Sequence, residues 1–179
     1  MSGFYDAGPL EQIAINLFHG WGYNFYRLEN QLRADDQLVR SKAAWLLGLA
    51  ASAIAAAETD YRREFLPPPS RAKPFADEAA VAAAQKLERL HRDVCAVESH
   101  LQQLPAPEND RMTQRYRQEA PTLKTLINYD QLLIGQCDLL RTLVTEQNGT
   151  AVLEKAPQIE EGLKAIRATL ISREAVLHS

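Results

Sequence analysis

Cysteine is scarce in this chain: Cys95 and Cys137 are the only two among 179 residues. That is far from the dense framework that staples small secreted domains, and both are expected to be buried free thiols. Excess charge of either sign is also missing. Twenty Lys and Arg stand against 23 Asp and Glu, so the chain has no basic character with which to attract nucleic acid or an anionic membrane, and neither partner is expected.

Long hydrophobic runs are absent too. The most apolar window, Ala43 to Ala57, falls short of the roughly 20 residues needed to span a bilayer. The opening Met-Ser-Gly-Phe-Tyr-Asp lacks a basic region, and the first Lys or Arg is Arg27, so no signal peptide is read and a cytoplasmic location is expected.

The signatures of common chemistries do not appear. The eight glycines build no phosphate loop; Gly20-Trp21-Gly22 is too short to be more than a hinge. No serine stands on a glycine-flanked elbow turn, and no Cys-x-x-Cys-His marks a covalent haem. A carboxylate-bridged di-iron bundle needs Glu-x-x-His on each of two helices, and no such pair occurs. No catalytic residue, no cofactor and no metal site is therefore assigned, and the reading leans away from an enzyme. His91, Cys95 and Glu98 share helical spacing but form an incomplete ligand set.

What the chain does have is apolar substance in helical order. Hydrophobic residues make up 46% of it and charged residues 24%, enough for one domain spanning residues 1–179 to bury a core of its own. Residues 1–20 read as a lead-in with a short amphipathic helix from Leu10 to Phe18, carrying Ile13, Leu17 and Phe18 on one side. From Trp21 the apolar positions step by three or four through Phe25, Leu28 and Leu32, and, after one gap, through Val39, Ala43, Leu46, Ala50, Ile54, Ala57 and Tyr61 to Phe65, which predicts one long first helix. Pro67-Pro68-Pro69 ends it, and residues 66–75 read as a proline-rich connector.

A second helix, Ala76 to Leu104, carries Leu87, Leu90, Val94, Val97 and Leu101. A third carries Leu123, Leu126, Leu133, Cys137, Leu140 and Val144, with Pro121 as a kink or a first-turn residue. Asn148-Gly149 reads as its left-handed C-terminal cap. A fourth, from Pro157, carries Ile159, Leu163, Ile166, Leu170 and Leu177. The fold class is all-α: an antiparallel up-and-down four-helix bundle with a short extra N-terminal helix and a long first helix.

Two features fit a plain scaffold poorly. More than half of the aromatic side chains fall before Arg27. In the expected topology His19, Trp21, Tyr23, Phe25, Tyr26 and Arg27 share one end of the bundle with Arg115 and Tyr116. Aromatics with arginine are the composition of interface hot spots, so this group is the expected binding surface for a protein partner or for self-association as a homodimer.

The second feature is acid in the apolar stripes. Asp35 or Asp36 falls between Leu32 and Val39, with the helix phase leaving open which of them faces inward, and Asp130 falls between Leu126 and Leu133. A buried carboxylate needs a partner, and Arg33 and Arg40 are the nearest arginines in sequence to the first pair. The expected function is a non-catalytic adaptor, assembly or regulatory protein. The alternative is a small-molecule, cofactor or metal-binding bundle using His19, Glu29, Asp36 and Asp130.

Overall fold

The computed structural model describes residues 3–19, 32–71, 74–104 and 120–178. Every regular element among them is helical: a 3-10 turn at Gly3–Tyr5, then α1 (Ala7–His19), α2 (Leu32–Phe65), α3 (Glu78–Gln103), α4 (Ala120–Val144), α5 (Gly149–Glu154) and α6 (Ala156–His178). The all-α class read from periodicity is the class found.

Each helix ends for a local reason. α2 runs for 34 residues because alanine and leucine dominate its middle, and it stops two residues before the proline run. Arg62 and Arg63 in its last turn complement the negative end of the helix dipole. α3 stops at Gln103, and Leu104 is extended, as the residue before a proline must be. Pro121 stands in the first turn of α4, where its missing N–H costs nothing.

The connection after α4 differs from the expected cap. The left-handed residue is Glu146, with φ 57°, and Asn148 instead caps the following helix, its side chain accepting from the Ala151 N–H at 2.9 Å. Asparagine suits either role, but the extended backbone of Asn148 (φ -77°, ψ 168°) belongs to an N-cap. This gives α5, a one-and-a-half-turn helix that periodicity did not reveal.

α2 is the central element, packed on α3 and on α4; α4 in turn packs on α6 and on α1, with smaller contacts of α3 to α6 and of α5 to α2 and α3. α2 and α3 are antiparallel: Arg40, early in α2, donates to the carbonyl of Leu104, and Arg62, late in α2, meets Glu88 at 3.2 Å. α4 and α6 are antiparallel as well, since Asp130 meets Arg173 while Gly162 abuts Leu140. α2 and α4 run side by side in the same direction, Lys42 lying within the field of Asp138 and Tyr61 lying against Gly149.

The core follows the apolar stripes closely. Val39, Ala43, Leu46, Ala50, Ile54 and Ala57 of α2 join Leu87, Leu90, Val94, Val97 and Leu101 of α3, Leu133, Cys137, Leu140 and Val144 of α4, and Ile159, Leu163, Ile166 and Leu170 of α6. The N-terminal segment is part of this body. Leu10 and Ala14 are buried while Ile13 and Leu17 are half-buried, and Gln136 donates to the carbonyl of Phe4 at 3.1 Å.

Two glycines permit close backbone approach. A Cβ on Gly135 would stand 2.5 Å from the carbonyl oxygen of Leu10, and one on Gly149 would stand 2.6 Å from the Cβ of Tyr61. α1 and α5 can dock at these depths only because those positions have no side chain. Within α2, Gln37–Phe65 is long and apolar enough to cross a membrane by length and composition, with mean hydropathy 1.3 in a window that is 50% buried. The apolar run is thus longer than the Ala43–Ala57 window suggested; a helix at the centre of a helical core meets the same criterion.

Candidate functional site

Much of the expected binding surface lies outside the described residues: Trp21, Tyr23, Phe25, Tyr26, Arg27, Arg115 and Tyr116 all do, and so does Glu29 of the alternative ligand-binding set. His19 ends α1, and Asp35 and Asp36 belong to the first turn of α2, but their side chains are not among those described.

Asp130 is described, and it is buried as the stripe predicts, at 1% exposure. Its ion-pair partner is Arg173 of α6, also buried, whose Nε donates to Oδ1 at 2.5 Å. Both residues make further polar contacts. Antiparallel α4 and α6 bring the two positions together, so the acid that stood out in the sequence is one half of an ion pair across a helix interface.

The residues of the minor metal alternative are close but do not converge. Cys95 Sγ lies 3.5 Å from His91 Nε2, whereas the Glu98 carboxylate faces Gly48 and accepts from Gln102. The chain has a single Glu-x-x-His, Glu88 to His91, and Glu88 is occupied by Arg62. Among the described residues no three His, Cys, Asp or Glu side chains gather as a metal-holding group. Burial and the neighbouring Glu98 carboxylate raise the Cys95 thiol above its ordinary value, the reverse of what activates a nucleophilic cysteine. Complete burial, reinforced by Asp138, raises Cys137 further.

The feature that sequence reading missed lies between the first half of α2 and the second half of α3. A cavity of about 600 Å³ opens there, with Ala44, Trp45 and Leu101 giving its apolar surface and Gln37, Arg40, Glu98 and Gln102 its polar one. Trp45 is 50% exposed. Lys42 does not line the cavity; its ammonium sits 4.0 Å from the centroid of the Trp45 ring, on the side of α2 that faces Asp138 and Arg141 of α4.

Lys42 itself is only 2% exposed. Desolvation lowers its ammonium below the ordinary lysine value, with Asp138 opposing and Arg141 reinforcing that shift. The indole ring therefore rests on a buried cation and presents its remaining surface to the cavity and to solvent, an arrangement that orients the ring through a cation–π contact. Arg40, on the same helix, is anchored by its bond to the carbonyl of Leu104.

The sequence offered a signal for this site, since Trp45 stands beside Leu46 and off the buried stripe. A tryptophan there must lie near the boundary of the core. No family model, no curated protein and no solved structure matches this chain.

Proposed function

We propose that the chain is a non-catalytic cytoplasmic adaptor or assembly factor, built as an up-and-down four-helix bundle of α2, α3, α4 and α6, that binds a protein partner at the end where α2 begins and α3 finishes. The observation that carries this reading is the oriented, half-exposed Trp45 beside an open groove that also holds Arg40. Trp and Arg are, with Tyr, the residues enriched in interface hot spots, where a fixed aromatic ring and a planar guanidinium provide large or directional contacts. The antiparallel pairs α2 with α3 and α4 with α6 support a four-helix bundle, with parallel α2 and α4 as neighbours in place of the α3–α4 contact that simple up-and-down order requires. They would hold such a surface rigid.

The test is affinity capture from native extract with three proteins: wild type, Trp45→Ala, and Trp21→Ala with Tyr26→Ala. A partner kept by wild type and lost by folded Trp45→Ala establishes the groove as the surface. One lost only by the double variant moves it to the aromatic segment. No partner with any of them would sink the adaptor reading.

A second reading draws on the groove's size, which falls within the range of small-molecule pockets. Native mass spectrometry, with metal analysis of the same preparation, separates the two. A retained small molecule or ion in wild type would support the ligand-binding bundle instead.

A further inference from the structure

The outward face of α2 departs from the usual pattern of a solvated helix, which carries charge on the side away from the core. No Asp, Glu, Lys or Arg occurs between Lys42 and Glu58. Four residues in that stretch, Trp45, Leu49, Ser52 and Ala56, are exposed, Trp45 at 50% and Leu49 at 40%. Their spacing of four, three and four places them in one line along the helix.

The order of sizes along that line is the informative part. The two bulky residues come first and the two small ones last. If a second α2 is laid against the first, antiparallel, about a two-fold axis between Leu49 and Ser52, Trp45 of each copy falls on Ala56 of the other, and Leu49 falls on Ser52. Every large side chain meets a small one, twice over by symmetry. Continuing outward, Ser41 faces Asp60 and Gln37 faces Glu64, so no like charges oppose each other. A parallel arrangement would set Trp45 on Trp45 and leave the small residues apart.

We infer that this stripe is a self-association surface, occupied by α2 of a second copy of the chain in antiparallel register. The inference rests on the proposed role as an interaction protein and names its partner. The stripe spans about three turns, roughly 17 Å, and is smaller than the ~800 Å² per partner of a standard stable interface. The dimer is therefore reversible and dissociates on dilution.

Sedimentation equilibrium of the full chain, taken up to about 1 mM so that even a millimolar Kd would register, should give a mass rising from one chain toward two. Ser52→Glu places a charge beside the axis on an exposed position and should remain monomeric throughout, with unchanged helicity. Register is tested by mixing Leu49→Cys with Ser52→Cys, both in a Cys95→Ser background. The expected product on oxidation is the mixed disulfide, exceeding either homodisulfide.

A monomeric mass at every concentration overturns the inference, as does a Ser52→Glu variant that dimerises like wild type. Binding to neutral lipid vesicles that Ser52→Glu abolishes, in a protein monomeric in solution, would overturn it in favour of a membrane contact. A monomer that still captures a protein through Trp45 removes self-association alone; one that captures nothing removes the adaptor reading as well.

Discussion

Removing the carboxylate of Asp130 takes from a buried guanidinium its ion-pair partner. Asp130 and Arg173 expose only 1% and 3% of their side chains, so bulk water reaches little of the site when one partner is deleted. Breaking a buried pair of this kind costs about 3–5 kcal/mol, whereas replacing both partners by apolar residues of similar volume is often neutral or stabilising. Asp130→Ala should therefore lose about 3–5 kcal/mol. For a chain of this length that corresponds to a fall in Tm of roughly 6–20 °C at about 2–4 °C per kcal/mol.

Urea unfolding followed by circular dichroism, with wild type, Asp130→Ala, Arg173→Met and the combination Asp130→Leu with Arg173→Met, measures these terms as a double-mutant cycle. The combination should recover most of the loss seen in either single variant. Additive losses would refute a direct coupling between the two charges. A combined variant that is stable yet no longer binds its partner would make the pair functional as well as structural.

Three shorter predictions follow from the packing. Gly135→Ala drives a Cβ to within 2.5 Å of the Leu10 carbonyl. It should destabilise by about 1–3 kcal/mol and make α1 cleavable in limited proteolysis; unchanged stability would disprove the docking of α1. With thiol reagents, half-buried Cys95 should react slowly under native conditions, while fully buried Cys137 should react only at the rate of unfolding, and native-state labelling of both together would contradict the core assignment. Lys42 has its proton affinity lowered by folding, so the unfolded chain holds that proton to higher pH and stability should rise as pH climbs from the lowered native value toward 10.5. Lys42→Met should abolish that component of the pH–stability curve without loss of stability at neutral pH.

How far the sequence could be read varies by feature. Helix positions and the core were legible because Leu, Ile, Val and Ala recur at helical spacing on α2, α3, α4 and α6. Asp130 was legible by the same logic, as an acid within a stripe. Its partner was equally available, since Arg173 falls between Leu170 and Leu177 at the same spacing. A lone cation in a stripe reads as surface until the opposing acid is known, and only the α4–α6 pairing joins the two. Lys42 carries no sequence signal of burial. It is covered because α4 runs beside α2 at that level, a fact of tertiary structure. Asn148-Gly149 announced a helix boundary correctly, but asparagine serves both ends of helices, and only its extended backbone decides which.

α2 is the element on which these arguments converge. It packs on α3 along one side and on α4 along the other, with α5 closing over its end, so its inward alanines have an evident purpose in letting three helices approach. Its outward strip is narrow and could have carried lysine and glutamate at no cost to that packing, as the helix does past Glu58. It carries Trp45 and Leu49 instead, with a buried lysine supporting the indole ring. Local rules that a fold does not need to break are broken most often where a surface is used. A consistent scaffold explains the buried stripes of α3, α4 and α6, but it gives no reason for the apolar line on the outer face of α2, which the self-association proposal supplies.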